Sequence, residues 1–260
     1  MTDASADRLA DRDYLRFQYG DDERLRIRVE THQRYSENPV PFRDWLLAHV
    51  DARAGQSLLD VGAGPGDYHD ALAHARVFAI DTSPGMLAKV KVPRAQADAQ
   101  ALPFRDAAFD RVMANHMLYH VPDRECALRE MRRVSRDGGR VVIASNSRHS
   151  MAPLFALTNT IERELGLAPE GTVGLRFSIE DTELVRGIFP RARVEVYEDA
   201  FIFREVEPLL RYVATQSIGL RSPEVTAVFL ERLSQRVRAV IDREGVFRVP
   251  KLSGCFVADL

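Results

Sequence analysis

The chain has 260 residues, 36 Lys and Arg against 38 Asp and Glu, a formal net charge of −2, and two cysteines. That length suits one well-filled α/β domain with additions, and the balanced charge, with no run of five or six basic residues, excludes the footprint of a general nucleic-acid binder. Two separate cysteines exclude a disulfide framework, and no apolar run reaches the ~18 residues of a membrane span, so a soluble cytoplasmic protein is expected.

Residues 1 to about 13 read as a polar tail. From Tyr14 to Val50 the pattern is helical: Leu25, Val29 and His32 share a face, and Phe42, Trp45, Leu46 and Val50 recur at helical spacing after Pro39 and Pro41. This stretch is expected to cover a site rather than to build a sheet. Strands at 57–61, 76–81, 94–98, 111–115 and 140–145 then alternate with helices that start at caps such as Ser83-Pro84 and Asp123. Such alternation implies parallel strands with right-handed crossovers and ligand binding at the strand C-terminal ends, where Gly62, Asp81, Asp98 and Asn115 all fall. After Asn146 come an amphipathic helix (151–165), a Gly-rich turn, a capping box Ser178-x-x-Asp181 opening a helix to Phe189, and a strand at 193–203. Two helical stretches follow, 206–217 and 222–244, the second stopped by Gly245. A last strand at 247–260 carries Gly254 at a bend or bulge. The organisation read here is a tail and helical cap over 1–50, then a ligand-binding domain over 51–260 with cap insertions at about 150–177 and 205–245.

The segment Leu58-Leu59-Asp60-Val61-Gly62-Ala63-Gly64-Pro65-Gly66-Asp67 joins an apolar strand to a three-glycine turn and then to a helix. A backbone without side chains there can lie against a nucleotide-like ligand. Asp81 ends the next strand, 19 residues after Gly62, where ribose hydroxyls are held in such sites. A dinucleotide fingerprint wants G-x-G-x-x-G with a pyrophosphate at the helix N-terminus; here the glycines run G-x-G-x-G and Asp67 takes the third place. A carboxylate at that helix start repels a pyrophosphate but tolerates a sulfonium and an ammonium, which favours S-adenosylmethionine over NAD. Taken alone, the turn also reads as a tight strand-to-helix connection.

With these residues in hand, the chain resembles the class I S-adenosylmethionine-dependent methyltransferases, in the branch acting on small molecules. The resemblance is strongest over 55–147, where the Leu59–Gly66 turn, Ile80-Asp81, Ala97-Asp98-Ala99 with Leu102-Pro103-Phe104, Phe109-Asp110 and Asp137-Gly138-Gly139-Arg140 stand in family order. It implies a Rossmann-like α/β fold, a seven-stranded mixed sheet whose last strand is antiparallel and inserts beside the fifth. It further implies that Gly62, Ala63, Gly64 and Gly66, with Asp60, line the methionine and ribose part of the cofactor. Asp81 grips both ribose hydroxyls, Asp98 accepts from the adenine amino group, and the Ala99 N–H reaches a ring nitrogen. Thr82 and Met86 flank the adenine, Asn115 sits near the sulfonium, and Tyr19 closes over the cofactor.

Methyl transfer uses a donor already activated by a positive sulfur, so the enzyme supplies proximity, alignment and, for a protonated acceptor, a base. No metal-ligand spacing is present. In Asn115-His116-Met117-Leu118-Tyr119-His120 the candidate base is His116, while His120 reads as a packing or anchoring residue. His149 is a weaker candidate, and His69 and His74 read as ordinary surface groups. Tyr14 and Tyr35 read as core aromatics or as part of the cover. The sequence thus points to methyl transfer onto oxygen, nitrogen or carbon of a small molecule, with secondary metabolism one setting for it and no nucleic-acid or membrane partner. Two alternatives stay open: a protein that binds S-adenosylmethionine without transferring methyl, and an RNA methyltransferase. The oligomeric state, a homodimer among the options, is not readable.

Overall fold

A computed structural model describes residues 22–167 and 176–260. Tyr14 and Tyr19 lie outside the described residues. Seven strands form one sheet: β1 Ser57–Val61, β2 Arg76–Asp81, β3 Arg94–Gln96, β4 Phe109–Asn115, β5 Ser135–Asn146, β6 Arg193–Phe203 and β7 Phe247–Asp259. Their order is β3-β2-β1-β4-β5-β7-β6. The first five are parallel, and β7 runs antiparallel to both β5 and β6. This is the Rossmann-like mixed sheet that the resemblance implied. The parallel strands are apolar without interruption because both of their faces are covered: Leu58, Leu59, Val61, Val112, Met113 and Ala114 are fully buried.

The α-helices among the described residues are α1 Asp22–Tyr35, α2 Phe42–Val50, α3 Pro84–Leu87, α4 Arg124–Val134, α5 Ala152–Glu164, α6 Thr182–Ile188, α7 Glu207–Ala214 and α8 Pro223–Glu244. Three begin at the side-chain caps their sequences announce: Ser83 Oγ accepts from Met86 N, Asp123 Oδ1 from Cys126 N, and Ser222 Oγ from Val225 N. The expected box at Ser178 is displaced by one turn. Asp181 stands at the start of α6, and its Oδ2 accepts from both Ser178 N and Ser178 Oγ.

The β1-to-β2 crossover departs from expectation. No α-helix follows the glycine turn; the chain makes only a 3₁₀ turn, Asp70–Leu72. Residues 67–75 must travel back along β1, a path of about 17 Å for a five-residue strand, whereas nine α-helical residues would cover only about 13.5 Å. A looser winding with a rise of ~2 Å per residue closes that gap.

The described residues fall into two compact units. The sheet unit comprises 40–148, 176–197 and 253–260. On one side of its sheet Leu59, Val61, Val112, Val141 and Ile143 pack with Leu128 and Met131 of α4. On the other, Leu58, Val77, Met113, Val142 and Val257 pack with Leu46 and Val50 of α2. α2 is therefore part of this core, and the expectation that all of 14–50 serves as a cover does not extend to it. Gly254 sits in β7 opposite Ser145, and the pairing with β5 runs through it without a bulge. A Cβ there would lie 2.4 Å from Glu195 O, and glycine is required by that close backbone approach.

The second, mainly helical unit comprises 22–39, 149–167 and 198–252. The three segments read from sequence as separate caps share one core, built from Leu154 and Ile161 of α5, Phe201 and Phe203 of β6, Leu209 and Val213 of α7, and Phe229, Leu233 and Val237 of α8. Tyr35 joins it, its ring 5.1 Å from that of Phe203. Inside this unit Lys251 Nζ lies 2.6 Å from Asp199 Oδ2 and 4.0 Å above the Phe201 ring. Asp199 also accepts from Ser36 Oγ and from the backbone N–H groups of Glu37 and Asn38.

Candidate active site

The site is assembled at the C-terminal ends of β1, β2 and β4 within the sheet unit. Val61 pairs with Ile80 on one side and Ala114 on the other, so the next residue of each strand brings Gly62, Asp81 and Asn115 together. Gly62, Gly64 and Gly66 all hold positive φ, 69°, 55° and 87°, which lets the backbone fold into a tight turn there. A Cβ at Gly62 would meet Met117 Cβ at 2.7 Å, so the turn and the segment after β4 approach as closely as glycine permits.

Asp81 ties the turn to β2. Its Oδ2 accepts from Gly64 N at 2.9 Å and its Oδ1 from Ser83 N at 2.8 Å. Asp98 is exposed just past β3, and Gln100 holds it through both its N–H and its side-chain amide, at 2.9–3.0 Å. Gln100 Oε1 accepts from Asp123 N and its carbonyl from Cys126 Sγ, so one glutamine links this loop to the start of α4. Ala99 and Met86 are buried and Thr82 is exposed.

At the end of β4 the side-chain amide of Asn115 is buried, and neither its nitrogen nor its oxygen has a hydrogen-bond partner among the described residues. His116 follows in the left-handed region at φ 51°, its N–H donating to Ala144 O. Such a conformation costs a non-glycine residue ~1–2 kcal/mol, although histidine tolerates it better than most. The half-buried ring packs 5.2 Å from Phe42, which in turn stacks with Trp45 and Tyr197. With no charged group to offset desolvation, its pKa is pushed down to about 4.

Behind the turn, Asp60 is buried and its Oδ2 lies 2.9 Å from His69 Nε2. His69 is thus no surface group. It sits on the 3₁₀ return and points back under the turn because that crossover is not a helix. His74, in contrast, is exposed and reaches Ala52 O. His120 is half-buried with its ring 4.5 Å from that of Tyr119. Among the described residues no Lys or Arg pairs with Asp60 or Asp81. No group of three His, Cys, Asp or Glu among them is placed to hold a metal, and no helix there is long and apolar enough to cross a membrane.

Residues 59–143 match the family model for the methyltransferase domain. The chain is 37% identical over 155 residues to a demethylmenaquinone methyltransferase of Streptomyces griseus, covering 54% of this chain and 67% of that protein. The chain belongs to the class I S-adenosylmethionine-dependent methyltransferases. It is also 38% identical over 141 residues to a phosphatidylethanolamine N-methyltransferase of Cereibacter sphaeroides, covering 49% of this chain and 67% of that one. The chain spans about two thirds of these two relatives and about half of several others. An Anabaena variabilis structure described as a methyltransferase from an antibiotic biosynthesis pathway shares the fold, with a TM-score of 0.63, 21% identity, and coverage of 84% of this chain and 96% of that one.

As a class I methyltransferase the protein uses S-adenosylmethionine, and the residues present fit that cofactor. A buried amide with no hydrogen-bond partner among the described residues, a turn of positive-φ glycines and two carboxylates that no Lys or Arg there neutralises suit a ligand rich in hydroxyls and positive charge. Gly62, Ala63, Gly64, Gly66, Asp81 and Asn115 converge in the methyltransferase. Thr82, Met86, Asp98 and Ala99 stand along the same sheet edge, and Asp60 lies beneath it. Two groups that bond the candidate site residues escaped the sequence reading: His69, against Asp60, and Gln100, against Asp98. The spacing Asp98-x-Gln100 was a usable signal for the second.

Proposed function

We propose that this methyltransferase moves the methyl group of S-adenosylmethionine to a small-molecule acceptor, with the glycine turn, Asp60, Asp81, Thr82, Met86, Asp98, Ala99 and Asn115 holding the cofactor and His116 facing the acceptor. The cofactor supplies a methyl group bonded to a positively charged sulfur. The carrying observation is the Asn115-His116 step, an amide with buried unpaired atoms followed by a histidine kept in a strained backbone conformation. Strained backbone at non-glycine residues clusters at active sites, and of the four such residues among those described His116 is the one at the strand ends beside Gly62 and Asn115. Asp81 and Asp98 take hydroxyl and amino donors, each charge-assisted bond contributing roughly 1.5–3 kcal/mol.

His116 is neutral at pH 7, so its imidazole is free to accept a proton. Its lowered pKa makes it a weak base. That suits an acceptor atom whose proton becomes acidic only as the methyl group arrives, and Phe42 at 5.2 Å fixes the ring for that encounter. The matched relatives, a demethylmenaquinone methyltransferase and a phosphatidylethanolamine N-methyltransferase by name, support a small-molecule acceptor.

Titration calorimetry with S-adenosylmethionine, S-adenosylhomocysteine and NAD tests the cofactor site, and labelled methyl transfer to a metabolite panel tests the reaction. Asp81→Ala is expected to weaken cofactor binding by about 2–4 kcal/mol, roughly 30- to 1000-fold. Tight NAD binding without a response to S-adenosylmethionine overturns the reading.

A further inference from the structure

Asp60 leaves β1 on the face opposite Leu59 and Val61 and is 1% exposed. Its carboxylate has one hydrogen-bond partner among the described residues, His69 Nε2 at 2.9 Å. The imidazole lies directly under the turn: a Cβ at Gly66 would be 2.7 Å from its Nδ1, and Gly66 O accepts from His69 N at 3.0 Å. The surroundings offer the carboxylate little else. Burial, with the like charge of Asp81, lifts the Asp60 pKa above the ordinary 3.8, and His69 is the group that opposes that rise. The neighbouring Tyr68 phenol is pushed above its ordinary range by burial, then by the charges of Asp60 and Asp67, with Arg43 the one opposing cation. A buried carboxylate held by a single donor is costly.

We propose that His69 is a positioning residue of the cofactor site, holding the Asp60 carboxylate ionised and fixed beneath the glycine turn so that the site favours the sulfonium-bearing donor over the uncharged thioether product. This rests on the cofactor reading above. Donor and product carry the same ammonium, carboxylate and adenosine groups and differ only in the methyl and the charge on sulfur. The ratio of their affinities therefore isolates what a fixed anion contributes, and a site that discriminates in this direction binds the donor and releases the product.

The test titrates the full chain with S-adenosylmethionine and S-adenosylhomocysteine. In His69→Leu and Asp60→Asn the donor-to-product affinity ratio is expected to fall roughly five- to fiftyfold, the size of one partly screened charge. His69→Gln, which can still donate to the carboxylate, is expected to keep the ratio within about twofold of the parent. A purely structural role would loosen the turn and lower both affinities together, leaving the ratio in place. An unchanged ratio in both His69→Leu and Asp60→Asn overturns the proposal. Failure of the parent protein to bind either ligand overturns the cofactor reading instead.

Discussion

Lys251 and Asp199 form a buried ion pair, 2.6 Å apart, with the ammonium also donating to Ser36 Oγ at 2.8 Å. The chain has only three lysines among its 36 basic residues, and a compact ammonium rather than a guanidinium stands at this buried position. Removing one partner strands the other charge, so Asp199→Asn is expected to destabilise the protein by ~3–5 kcal/mol, measured by urea unfolding. The double variant Lys251→Met, Asp199→Leu should recover most of that loss. Burial raises the Asp199 pKa, but Lys251, Asn38 and Ser36 bring it below the ordinary value of 3.8. Its folded-state pKa is therefore depressed. The stability it confers is present above the unfolded pKa and is lost as pH falls through the folded value.

Asn115 should respond with opposite signs in two measurements. Its buried amide has no partner among the described residues, so Asn115→Leu is expected to stabilise the free protein by up to ~2 kcal/mol. The same change removes polar contacts to the cofactor and should weaken S-adenosylmethionine binding at least about tenfold. Thermal unfolding without ligand and calorimetry with it give the pair of values; loss of stability together with unchanged affinity contradicts the assignment.

His116 should leave two signatures. If it takes the acceptor's proton, His116→Ala lowers kcat by roughly 10²–10⁴ while cofactor affinity holds. Its pKa falls from 6.5 to about 4 on folding, so between those values the unfolded chain binds more protons. Stability is full above pH 6.5 and declines as pH drops toward 4. His116→Phe should flatten that decline, and unfolding midpoints at pH 4.5 and 7.5 measure it.

Gly254→Ala probes the close contact in β7. With Glu195 O 2.4 Å from the new methyl group, the β6–β7 region must shift, at a cost of about 1–3 kcal/mol. Gly187→Ala, with nothing within 4 Å of its Cβ, is the matched control and should change stability far less.

The parallel strands were legible because strand period, caps and the glycine turn all agree locally: Ser83 and Asp123 cap the helices their sequences suggest. His69 was misread for a geometric reason. The pattern after Gly66 resembles a helix, but the number of residues before β2 is too small to let one span the strand, and the ring turns inward. The helical unit was illegible as a unit. Phe201, Leu154 and Phe229 come from segments far apart in the chain, and periodicity reports which face of each is apolar but not which faces meet.

The order β5-β7-β6 has a consequence for how the chain reaches this state. Among the described residues β6 ends the sheet, with β7 as its neighbouring strand and a single isolated bridge from Ser36 to Phe201 beyond, so it cannot join the sheet until β7 is laid between it and β5. In the chain, α7 and α8 intervene between those two strands. Meanwhile β5 carries an apolar run, Val141, Val142, Ile143 and Ala144, along an open edge. Closure of such non-local pairs is slow, and an unpaired apolar edge recruits strands from other molecules. Refolding yield should therefore fall as protein concentration rises, and recovery is governed by how quickly one strand fills one gap.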